Sequence, residues 1–191
     1  GYDWFLKTVN SSTNLLEYMY FPSENIYSTE NNHLRQLASL WTITEMNSFL
    51  NKNATKLLIN STLDYYLSFI KSSSNFSYIS FNDKAKLANN AFLILTLLNT
   101  PQYQNQKELL TQLGNGILSL QNENGSYKTF FFSDENTGID YYPGEAMLSL
   151  MKLYNNTKDQ RYLDSVEKAF YHYRDYWRNN KNTALIPWHT Q

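Results

Sequence analysis

The chain has 191 residues, enough for one domain with a real core, and it carries 42% apolar and only 17% charged residues with a formal net charge of -1. That balance gives no electrostatic footprint for nucleic acid or for an anionic membrane surface. With no cysteine there are no disulfides or thiolate metal sites, and the redox compartment stays undetermined.

In chain order, Tyr2 to Tyr20 reads as a helix interrupted near Asn10-Ser11-Ser12, and Phe21-Pro22 ends it. Ser23 to Asn32 is a polar, partly extended link. From His33 to Leu50, apolar residues cover most of a helix circumference, and Asn51-Lys52-Asn53 breaks the run. Ala54 to Ile70 is one-sided, with Leu57, Leu58, Leu63, Tyr66 and Ile70 on the apolar face.

Ser72 to Asn82 carries Phe76, Tyr78, Ile79 and Phe81, which predicts a short strand or hairpin arm. Asp83 is placed to cap a helix running to about Leu98, apolar on all sides. The run from Ala91 to Leu98 is far too short to cross a bilayer, so no membrane span is expected. Gln104 to Gln121 is its one-sided partner. A third link, Asn122 to Tyr142, opens with the turn Asn124-Gly125.

Pro143 suits the first turn of the next helix, with Glu145 at its positive end. Ala146 to Tyr154 is again apolar all round, and Asn155-Asn156-Thr157 stops it. Gln160 to Trp177 is amphipathic: Tyr162, Val166, Ala169, Phe170, Tyr173 and Trp177 form one stripe, while Lys168, Arg174, Asp175 and Arg178 take the other face. A last link leads from Asn179 to Pro187 and then to Trp188 and His189.

Helices of the all-apolar kind thus begin near residues 33, 84, 143 and 188. The first three are each followed by a one-sided partner, a repeat of roughly 50 residues. Units of this sort bury their apolar faces by stacking on neighbours, as an open solenoid or as a closed ring. The long aromatic links favour the ring, with an irregular helical bundle as the alternative. The fold class expected is all-α, repeated αα-hairpins with short extended links, in a single domain over 1–191.

Three phrases carry a family resemblance: Leu118 to Tyr127 (LSLQNENGSY), Tyr141 to Leu150 (YYPGEAMLSL) and Tyr154 to Leu163 (YNNTKDQRYL). The last resembles the Leu-Tyr-x-x-Thr-x-Asp-x-x-Tyr-Leu turn of (α/α) toroid proteins of the six-hairpin glycosidase type. Relatives on that plan include N-acylglucosamine epimerases, glucuronyl C5-epimerases and polysaccharide lyases. The resemblance implies part of an (α/α) toroid, with the links around the mouth of a central funnel. It covers most of the chain as a rhythm, without the catalytic motif of any one family, and so speaks to fold rather than reaction. A ring of this type needs about six hairpins, and the sequence offers roughly three and a half. The rest of a larger chain, or a partner, is therefore expected to complete it.

Candidate site residues gather at the links and helix starts. Asp134, Asp140, Tyr141, Tyr142 and Glu145 form the richest group. Glu145 and Asp140 can act as an acid/base pair across a sugar ring while Tyr141 and Tyr142 hold the substrate. Alternatively Glu145 only complements the helix dipole and Asp140 only shapes a turn. His33 can serve as a base near neutral pH, and Arg35 can clamp a carboxylate such as a uronic acid or pair with an acidic neighbour. Trp188 and His189 offer an aromatic ring and an imidazole at the start of the fourth unit.

No histidines have metal-ligand spacing, no phosphate or dinucleotide loop is present, and neither metal nor other cofactor is expected. The expected function is a carbohydrate-active protein, a hydrolase, lyase or epimerase using carboxylate chemistry on a saccharide. The alternative is a non-catalytic helical repeat that binds a glycan or a protein. Asn-X-Ser/Thr triplets at Asn10, Asn53, Asn60, Asn75, Asn124 and Asn155 follow from the asparagine-rich composition, and the compartment stays open between extracytoplasmic and cytoplasmic.

Overall fold

A computed structural model describes residues 2–50 and 55–191. The helix break expected at Asn51-Lys52-Asn53, the Ala54 start and the Asn53 triplet lie outside the described residues. The fold is mainly α-helical, with two small β-hairpins. It forms two compact units, Gly1–Phe69 and Ile70–Gln191.

The first unit contains α1 (Tyr2–Lys7), an antiparallel hairpin of β1 (Tyr20–Phe21) and β2 (Ile26–Tyr27), then α2 (His33–Leu50) and α3 (Lys56–Leu67). The helix expected over Tyr2–Tyr20 breaks near the interruption expected at Asn10 but does not resume beyond it. It stops at Lys7, and the Asn10 side chain then accepts from the N–H groups of Ser12 (3.0 Å) and Thr13 (3.3 Å). An asparagine that bonds its own following backbone competes with the helical ladder, and Asn14 completes the reversal at φ 56°. Leu37, Leu40 and Ile43 of α2 meet Ile59, Leu63 and Tyr66 of α3 in the core. The expectation that α2 is covered all round is not met. Only one face is buried, and Phe49 is 88% exposed.

The second unit opens with a hairpin of β3 (Ile70–Ser72) and β4 (Ser77–Ile79), pairing Ile70 with Ile79, where the sequence expects a hairpin arm. Four helices follow: α4 (Leu87–Leu98), α5 (Lys107–Ser119), α6 (Tyr142–Thr157) and α7 (Gln160–Asn179). A 3-10 turn (Thr183–Leu185) leads into the short α8 (Ile186–His189).

Every residue from Leu87 to Leu97 is buried, so α4 is enclosed on all sides, and α6 packs against it. α5 covers α4, and α7 covers α6, each through one face. Asp83 does not cap α4. It turns in the left-handed region at φ 61°, and the chain runs extended to Lys86 because Ala85 and Leu87 bond to Phe131 and Thr129 of the third link. α6 is likewise less enclosed than its sequence implies: Pro143 to Leu150 and Leu153 are buried, but Lys152 is exposed.

One buried amide joins three elements of this unit. Asn90 of α4 donates to the carbonyls of Ser77 (2.9 Å) and Leu113 (3.1 Å), and its Oδ1 accepts from the Ile79 N–H (3.0 Å). All its polar capacity but one lone pair is used, as a fully buried amide requires.

Candidate functional site

In the first unit, His33 opens α2 half-buried, its Nδ1 3.4 Å from the Tyr66 hydroxyl and its ring 6.4 Å from Tyr65 and 6.1 Å from Phe69. Burial lowers its pKa, which keeps the imidazole neutral near neutral pH. Arg35 is exposed and lies over the Tyr18 ring at 5.7 Å. This is a cation–π contact rather than an acidic pairing.

In the second unit, the acidic group before and within α6 divides by environment. Asp134 and Glu135 are exposed at a cleft of about 190 Å³ with Lys128 and Asn136, and Glu135 pairs with Lys84 at 3.2 Å. Asp140 accepts from Asn182 Nδ2 at 2.8 Å, which ties the loop before α6 to the segment before α8. Tyr141 is 44% exposed, whereas Tyr142 is half-buried, its pKa raised by burial and by the Glu145 charge.

Glu145 is 5% exposed, and its Oε2 has no hydrogen-bond partner. Burial pushes its carboxyl up to about 8, so it holds its proton at neutral pH.

Trp188 and His189 are brought to the same end of α6. A Cβ on Gly144 would stand 2.6 Å from the Trp188 Cβ and 2.9 Å from His189 Nε2, so only glycine admits this approach. Trp188 packs edge-on to Phe92 at 5.6 Å, and the His189 ring sits 5.6 Å from Tyr173 and 6.0 Å from Trp177. Burial drives the His189 pKa down to about 4.

Between α6, α7 and α8 opens a cleft of about 510 Å³. Phe170, Tyr173, Trp177, Trp188 and His189 supply its aromatic walls, and Met147 and Met151 its floor. The Trp177 Nε1 and His189 Nε2 atoms are buried without partners. Lys152, Asn155 and Arg174 also line it, whereas Glu145 and Asp140 do not.

Compared with family models, with curated proteins and with solved structures, the chain matches none. Among the described residues no group of three or more histidine, aspartate or glutamate side chains can hold a metal ion. No helix among them is long and apolar enough to cross a membrane.

Of the residues singled out from the sequence, Trp188 and His189 meet beside Gly144, and both open on the cleft. Asp134 belongs to the smaller cleft, Asp140 to a loop tether, and His33 and Arg35 to the first unit. Sequence reasoning missed Lys152 and placed Arg174 on the outer face. The available signal was Lys152 itself, a lone charge inside the apolar run from Ala146 to Tyr154. Arg174 carried a weaker one, following Phe170 at helical spacing.

Proposed function

We propose that the chain is an αα-hairpin repeat domain on the (α/α) toroid plan and that it binds a saccharide in the cleft of α6, α7 and α8. The observation that carries this reading is that Phe170, Trp177 and Trp188 open on one cavity of about 510 Å³. Aromatic faces stack on the C–H faces of sugar rings, and the volume falls in the range of small-ligand sites, roughly 300–1,000 Å³. Asn155 and Arg174 offer donors for hydroxyl groups at the edge. A toroid takes about six hairpins, so on this reading further hairpins of the same chain or of a partner complete the ring.

The test is titration with a panel of oligosaccharides, followed by tryptophan fluorescence and calorimetry. Trp188→Ala is expected to weaken binding by roughly tenfold or more, the scale of one lost stacking contact in a desolvated pocket. Failure of the unaltered protein to bind any member of the panel would overturn the reading.

A second reading, a hydrolase, lyase or epimerase, has one observation in its favour. A carboxyl held protonated near neutral pH, as at Glu145, is what a general acid needs. Asp140 is its candidate base. Loss of turnover in Glu145→Gln, with saccharide affinity kept, would select this reading over simple binding.

A further inference from the structure

We infer that the saccharide held by this cleft is anionic, carrying a carboxylate or a sulfate, and that the Lys152 ammonium meets that charge. The inference rests on the saccharide-binding reading above and adds the ligand class.

The charged side chains lining the cleft are Lys152 and Arg174, both cationic, and none of the lining residues has an acidic side chain. Arg174 is held in place: its guanidinium forks onto Asp175 at 2.8 and 3.1 Å and lies 5.2 Å over the Tyr171 ring. Asp175 also faces Arg178 at 3.5 Å. One carboxylate therefore serves two guanidinium groups, and this corner of α7 keeps an uncompensated positive charge.

Lys152 makes no hydrogen bond or ion pair with any described residue. It rises from α6 at the exposed rim of the cleft, which Leu148 and Met151 also line. Glu145 lies two turns earlier on the same flank of the helix, and its protonated carboxyl supplies no opposing charge. A flexible, unpaired ammonium at the edge of an aromatic cavity is a point-charge receptor for an acidic sugar substituent. Neutral sugars would leave it unused.

The experiment titrates the whole chain with three probes of matched length: an oligogalacturonate, a sulfated galactan oligomer and a neutral gluco-oligosaccharide. The acidic probes are expected to bind roughly tenfold tighter than the neutral one, the scale of one charge-assisted hydrogen bond. Added salt should erase that preference. Lys152→Gln should remove most of the difference between acidic and neutral probes, and because Lys152 is exposed the variant should fold normally. Whichever acidic probe binds tighter identifies the substituent.

Equal binding of neutral and acidic probes, or a preference that survives Lys152→Gln, overturns the inference and leaves the saccharide reading standing. Absence of binding to all three overturns both.

Discussion

Replacing Glu145 by glutamine should change how stability responds to pH, with a sign the structure dictates. The Glu145 carboxyl moves from its ordinary 4.5 to about 8 on folding. Between those values the unfolded chain has released the proton and the folded chain has kept it, so stability falls as pH rises. At about 1.4 kcal/mol per pH unit, the loss reaches on the order of 3 kcal/mol at pH 7 and about 5 kcal/mol above pH 8. Below 4.5 both states are protonated and the effect vanishes.

His189 acts oppositely. Its pKa drops from 6.5 to about 4, so the unfolded chain binds the extra proton and stability rises with pH across that window. The two groups offset each other between about 4.5 and 6.5, and the fall due to Glu145 emerges alone between 6.5 and 8.

Urea unfolding followed by circular dichroism at several pH values, on the unaltered chain and on Glu145→Gln, isolates the carboxyl, because every other group cancels in the difference. The glutamine variant should gain stability steadily from about pH 4.5 to 8 relative to the unaltered chain. A difference that stays flat over that range would show that Glu145 ionises freely, and the burial argument would be wrong.

Two further substitutions test the packing of the second unit. Asn90→Ala removes three buried hydrogen bonds and strands the Ile79 N–H, which should cost about 3 kcal/mol or more and lower the urea midpoint. An unchanged midpoint would mean that the hairpin is not held by this amide. Gly125→Ala places a Cβ against the Lys168 carbonyl at a backbone φ of 91°, and a loss of about 2 kcal/mol in thermal melts is expected. A variant as stable as the parent would show that the loop moves off α7 freely.

The parts of the fold legible in the sequence are those where a single period runs unbroken. The spacing over His33–Leu50 gives α2 its limits, the apolar run before Leu98 marks α4 as enclosed, and Asn124-Gly125 marks a turn, with Gly125 at φ 91°. Reading fails where polar side chains compete with the backbone. The helix does not resume after the turn at Asn10, and pairing of Ala85 with Phe131 delays α4 past Asp83.

The candidate site was legible only in part. Trp188 and His189 are marked by an aromatic ring beside an imidazole, but the burial of Glu145 depends on what packs over it, which no local pattern encodes. Phe170 belongs to the expected apolar stripe of α7 and yet is 54% exposed, because it lines the open cleft.

Contact between the two hairpins of the second unit is keyed by polar groups as well as by apolar packing. Gln121 donates to the Ser165 carbonyl at 2.8 Å and accepts from the Ser165 hydroxyl at 2.8 Å, while the Tyr127 N–H donates to the Tyr173 hydroxyl at 2.9 Å. Tyr127 and Ser165 share a further bond of 2.7 Å. Greasy surfaces tolerate sliding, but directional bonds of this kind do not. A slip of α7 by one residue would strand several buried donors and acceptors at once. The link after α5 thus carries indexing marks for α7, and the cleft wall built on α7 inherits a fixed vertical setting from them.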